Sequence, residues 1–190
     1  MKKPFLVGLL LVMVFVLPAF SQQTWWRTYG GRYDDRGYSV QQTTDGGYII
    51  AGSTMSFGSG NNEDVYLIKT NASGDTLWTR TYGGTNGGAG NSVQQTSDGG
   101  YIITGLGPGT SHNANVYLIK TNVQGDTLWS RTYGGAKEGW GFSVQQTSDG
   151  GYITAGFMCP LGDTLGDVYL IKTNASGNIG PYNYIFNQGA

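Results

Sequence analysis

Carboxylates have the most capacity for chemistry in this chain of 190 residues, and Glu63 and Glu138 are its only glutamates. A glycoside hydrolase needs two carboxyl groups about 5–10 Å apart, flanking the scissile bond. Asp34, Asp35, Asp64, Asp163 and Asp167 fall in the same kind of segment as the two glutamates. Sequence alone pairs none of them at that distance, so solvated loop carboxylates are the simpler reading. Asn61-Asn62-Glu63-Asp64 offers oxygen ligands for Ca²⁺ but lacks the EF-hand spacing. His112 is the single histidine, and Cys159, read as a small buried apolar residue, is the single cysteine. One cysteine excludes a disulfide framework and a Cys-based zinc site. One histidine leaves almost no material for a His-ligated metal or a Ser-His relay. No metal, cofactor or catalytic residue is therefore expected. A formal net charge of −1 lacks the basic footprint of a nucleic-acid binder.

The elements that would position such residues are legible because the chain repeats itself. Asp-Gly-Gly-Tyr begins at Asp45, Asp98 and Asp149. Ser-Val-Gln-Gln-Thr begins at Ser39, Ser92 and Ser143, and Val-Tyr-Leu-Ile-Lys-Thr-Asn at Val65, Val116 and Val168. Arg-Thr-Tyr-Gly-Gly begins at Arg27, Arg80 and Arg131. A period of about 50 residues marks one supersecondary unit, copied. With 33 Gly and 13 Tyr, the composition favours short strands joined by tight turns.

Each unit reads as four strands, for example Ser92–Thr96, Tyr101–Thr104, Val116–Thr121 and Thr127–Tyr133. Asp-Gly supplies the positive-φ residues of the first hairpin, and Asn122 to Asp126 forms the second. The unbroken apolar run Val116 to Ile119 predicts a strand covered on both faces. Asn71-Ala72-Ser73 and Asn174-Ala175-Ser176 match a glycosylation pattern, but turn chemistry accounts for both. A four-stranded sheet buries both faces only by stacking on its copies. Radial stacking of this kind is a β-propeller, usually of about 4–8 blades. The recurring rings, Tyr48/Tyr101/Tyr152, Tyr66/Tyr117/Tyr169, Trp25/Trp78/Trp129 and Tyr29/Tyr82/Tyr133, are expected to pack between blades. The predicted fold is all-β: three four-stranded antiparallel blades near 38–84, 91–135 and 142–186, with a leading strand over 24–30. A β-trefoil or β-prism, which also uses three repeats, is the alternative.

The string Gln94 to Gly105, followed by Val116 to Asn122, Gly125 to Trp129 and Arg131 to Gly135, resembles secreted bacterial β-propeller repeat proteins. Such proteins are common in Bacteroidetes-like bacteria and often carry a C-terminal type IX secretion sorting domain. The resemblance covers nearly all of residues 24–177. It implies a propeller and an exported or cell-surface location, with little chemistry attached. Gly74 with Trp78 four residues on also resembles the docking spacing of quinoprotein propellers, as a structural likeness without a quinone site. Three units are fewer than a ring needs. The chain is therefore expected to be a fragment of a longer protein, an open arc, or a protomer that completes a ring as a homo-oligomer.

Residues 1–21 read as a signal peptide. Lys2 and Lys3 precede the apolar stretch Phe5 to Leu17, and Ala19 and Ser21 mark cleavage before Gln22. That stretch is shorter than the about 20 residues of a membrane span. Residues 22–190 would then be the repeat domain, outside the cytoplasm and without a membrane anchor.

The copies differ mainly in two places: the crossings between units, and the loops between strands two and three. In a four-stranded meander both open on one face, where a repeat protein binds. Tyr33 and Trp140, with Arg32, Arg36, Lys137 and Glu138, are the expected contacts, because aromatic faces with hydrogen-bonding neighbours suit sugars. A non-catalytic scaffold or binding module for a polysaccharide or a surface protein is the expected function. A glycoside hydrolase or lyase built on Glu63 or Glu138, and a fragment with no independent activity, are the alternatives.

Overall fold

The computed structural model describes residues 24–58, 62–84, 87–107, 115–134, 138–159 and 165–180. The described residues are all-β. The first sheet contains β1 (Asp35–Gln42), β2 (Tyr48–Thr54), β3 (Asp64–Thr70) and β4 (Thr76–Tyr82) in sequential order. The second repeats this with β5 (Ala89–Gln95), β6 (Tyr101–Leu106), β7 (Val116–Thr121) and β8 (Thr127–Tyr133). The third holds β9 (Gly139–Gln146), β10 (Tyr152–Met158) and β11 (Asp167–Thr173). All neighbouring strands are antiparallel. Meanders stacked face to face are propeller-like blades, the expected architecture.

The first hairpin of each unit turns on one glycine. Gly46, Gly99 and Gly150 hold φ of 83°, 82° and 80°, a region that residues with a Cβ rarely adopt. The preceding aspartate locks the turn. Asp98 accepts from the Thr96 hydroxyl at 2.5 Å and from Gly100 N at 3.0 Å.

Two apolar layers join the sheets. Ile49, Ala51, Val65 and Leu67 of the first sheet pack on Val93, Tyr101, Ile103, Tyr117 and Ile119 of the second. Ile102, Val116 and Leu118 on its other face pack on Val144, Tyr152 and Ile171 of the third. β3 and β7 are buried along their whole length, as their apolar runs predict. Neighbouring inner strands are also tied by side chains. Val93 N donates to Ser39 Oγ at 3.2 Å and Gln95 N to Gln41 Oε1 at 2.6 Å. Val144 N and Gln146 N repeat this with Ser92 and Gln94.

Outer strands dock on the following sheet. Trp78 meets Tyr101 edge-on at 5.9 Å, and Trp129 meets Tyr152 at 5.7 Å. The Tyr82 hydroxyl donates to Gly125 O at 2.6 Å, and that of Tyr133 donates to Gly177 O. The expected ring packing between blades is therefore present for Trp78, Tyr82, Tyr101, Trp129, Tyr133 and Tyr152, whereas Tyr66 packs on Phe57 of its own unit.

Two expectations change. β5 starts at Ala89 rather than Ser92 and β6 runs on to Leu106, because a bulge at Asn91 lets pairing continue through Gly90. Residues 24–30 pair with no strand among the described residues. They dock instead on the first sheet, with Trp25 5.6 Å from Tyr48 and the Tyr29 hydroxyl donating to Gly74 O at 2.7 Å. The third sheet has three strands among the described residues; the tail expected to supply a fourth, Tyr182 to Phe186, lies outside them, as do residues 1–21, expected to be a signal peptide.

Candidate functional site

The two variable loop classes meet at one end of the first and third sheets, as the repeat comparison predicts. Met55 N, after β2, donates to Asp34 O in the crossing at 2.9 Å. In the third sheet Cys159 N donates to Glu138 O at 2.9 Å.

Tyr33 stands on a segment held by Ser56. Tyr33 N donates to Ser56 Oγ at 2.9 Å, and that oxygen lies 3.1 Å from Tyr33 O and 2.7 Å from Asp35 Oδ2. Asp35 also accepts from Gly31 N at 2.7 Å and from the Thr54 hydroxyl. Burial by itself would raise the Asp35 pKa, but these hydrogen bonds outweigh it and hold the carboxyl below its usual range. The carboxylate is therefore an ionised brace for the loop, and it is poorly suited to giving up a proton in catalysis.

The Tyr33 ring is 61% exposed, with the Arg32 guanidinium 5.8 Å from its centroid. Beside it opens a cleft of about 260 Å³ lined by Thr28, Tyr29, Gly30, Gly31, Tyr33 and Asp35. Arg36 is exposed and bridges Asp34 at 3.0 Å and Glu63 at 3.1 Å. Asp64 is buried and accepts from Gly84 N at 3.2 Å, so it anchors the following crossing.

Trp140 forms a second, separate cluster. It stands at the start of β9, 6.2 Å from Phe142 and 6.2 Å from Phe157. Glu138, two residues before it, is exposed. Lys137, His112 and Asp163 lie outside the described residues. Tyr33 belongs to the first sheet and Trp140 to the third, and the second sheet is stacked between those two sheets. Among the described residues, no group of three His, Cys, Asp or Glu side chains is arranged to hold a metal ion.

Sequence reasoning overlooked Tyr38 and Phe142. Both occupy the inner-strand bulge at which Asn91 stands in the second sheet. A signal was available: the copies read Gly37-Tyr38-Ser39, Gly90-Asn91-Ser92 and Gly141-Phe142-Ser143, so one variable residue sits inside an otherwise shared strand. Ser56 and Thr54 carried no such mark, since only the fold brings them to Asp35.

Two comparisons with known proteins bear on identity: no protein-family model matches this chain, and no curated protein matches it.

Proposed function

We propose that this chain is an exported, non-catalytic binding module that presents the Tyr33 loop to a polysaccharide. The observation that carries this reading is a large exposed ring on a loop already braced by Ser56 and Asp35. A preformed aromatic surface loses little conformational entropy when a ligand lands on it. Sugar rings offer an apolar C–H face for stacking and hydroxyls at the rim. Tyr33 supplies the stacking face. The Arg32 guanidinium, over one face of the ring, and the backbone of Gly30 and Gly31 in the adjoining cleft offer polar partners for the hydroxyls.

A glycan array followed by titration calorimetry on the purified chain tests the proposal. Tyr33→Ala should weaken binding at least tenfold. Binding that survives Tyr33→Ala unchanged, or the absence of any glycan ligand, would remove the saccharide reading.

A further inference from the structure

Repetition allows each sheet to be compared with its own copies, and the two terminal sheets fail that comparison on facing sides. Val65 and Leu67, like Val116 and Leu118, are at most 1% exposed beneath the next sheet. Their counterparts on the third sheet, Val168 and Leu170, are 89% and 64% exposed. They pair in register with Phe157 and Ala155, so these four side chains share one face, which Trp140 extends through its pairing with Phe157. On the first sheet the opposite face is open. Val40 is 64% exposed where Val93 and Val144 are 6% and 4%.

The two open faces complement each other, because their residues are the ones that already pack inside the molecule. Val65 and Leu67 meet the face carrying Val93; Val168 and Leu170 are the same residues as the former, and Val40 is the same residue as the latter. The polar rim matches as well. Ser143 and Gln145 are the counterparts of Ser39 and Gln41, which accept from inner-strand amides of the next sheet.

A third element is preset. Residues 24–30 have the sequence of a fourth strand and dock on the first sheet as β4 docks on the second, through a tryptophan, an arginine and a tyrosine. Arg27 lies 3.6 Å from Asp75, and Arg80 lies 3.4 Å from Asp126. β4 also pairs with β3, whereas residues 24–30 have no such partner among the described residues. β11 correspondingly has one paired side among the described residues.

We infer that a second copy of this chain covers the open face of the third sheet, adding its residues 24–30 to β11. The register follows from the intact sheets. Val65 pairs with Tyr82, Leu67 with Arg80 and Lys69 with Trp78; so Val168 pairs with the second copy's Tyr29, Leu170 with its Arg27 and Lys172 with its Trp25. Two such junctions, related by a twofold axis, close a ring of six blades, within the usual range of about 4–8. Burying Val168, Leu170 and Val40 supplies the hydrophobic drive. The junction also sets the 31–35 segment of one copy beside the Trp140 end of the other.

Light scattering on the purified full chain, with sedimentation across a concentration series, tests the inference. The expected mass is that of two chains. Val168→Glu with Leu170→Glu should abolish the dimer and leave the far-ultraviolet circular dichroism unchanged, since both side chains are already exposed in one copy. In a Cys159→Ser background, Arg27→Cys with Leu170→Cys should form an interchain disulfide on oxidation, and Arg27→Cys with Val168→Cys, two residues out of register, should not. A monomer at all concentrations, a dimer that survives the Val168→Glu and Leu170→Glu pair, or a disulfide within one chain would each overturn it.

Discussion

The ammonium of Lys120, a side chain only 3% exposed, ends 2.9 Å from the Asp98 carboxylate. It also donates to Thr121 O at 2.8 Å. The lysine of the Val-Tyr-Leu-Ile-Lys strand thus holds the aspartate of the Asp-Gly-Gly-Tyr turn. Lys69 with Asp45 and Lys172 with Asp149 repeat the pair. Asp98→Ala strips a buried cation of its counter-charge and removes the turn's acceptor. It should cost about 2 kcal/mol in urea unfolding. Asp149→Ala should cost less, because Lys172 is half-exposed and water replaces the lost partner.

These aspartates set the acid limit of stability. Hydrogen bonds from Thr43 and Lys69 hold Asp45 down to about 2. Burial opposes the shift at Asp98, but hydrogen bonds from Lys120 and Thr96 still bring it to about 2. The unfolded value is 3.8, above the folded one. The pair contribution is therefore complete above about pH 4 and is lost as pH falls toward 2. Thermal melts between pH 6 and 2 should show the midpoint falling across that window. A Lys69→Met, Lys120→Met, Lys172→Met variant should show a smaller fall.

Tyrosines set the alkaline limit. Burial pushes Tyr101 and Tyr133 up to about 12 from 10.0. A phenol kept neutral in the fold favours the folded state below the unfolded value, and that support disappears as pH rises from 10 to 12. Ultraviolet titration of tyrosinate should show a late fraction that ionises together with unfolding.

The buried phenols divide by partner. Tyr82 donates to Gly125 O, whereas the buried Tyr101 hydroxyl has no hydrogen-bond partner among the described residues. Tyr82→Phe should destabilise by about 1 kcal/mol, and Tyr101→Phe should be neutral or stabilising. Denaturant midpoints of the two variants check the ordering, and equal losses would contradict it.

Two glycines with the same backbone angle should respond differently to alanine. Gly99 and Gly125 have φ of 82° and 81°. A Cβ on Gly99 meets nothing within 4 Å, while one on Gly125 would lie 2.8 Å from the Trp78 ring. Gly99→Ala should cost about 1 kcal/mol from the backbone alone. Gly125→Ala must also displace the docked tryptophan and should cost at least twice that, with a shift in tryptophan fluorescence.

Much of this architecture is written in the chain itself. Copied strings set the unit, Asp-Gly sets the first hairpin, and the unbroken Val-Tyr-Leu-Ile run marks the strand covered on both faces, since these depend on local backbone preference and on which surface must leave water. The bulges were hidden, because a bulge depends on the pairing of two strands. The Lys–Asp pairs were likewise unreadable: their partners stand 22 to 24 residues apart and meet only across adjacent strands. Tertiary structure alone decided the fate of residues 24–30, whose strand-like sequence has no edge to pair with among the described residues of its own chain and keeps its docking contacts there. It also placed Tyr33 and Trp140 on different sheets, since face-to-face stacking sets the second sheet between the first and the third. The same Val and Leu residues are core in two copies and surface in the third, because burial belongs to the neighbour that covers a residue and not to the residue.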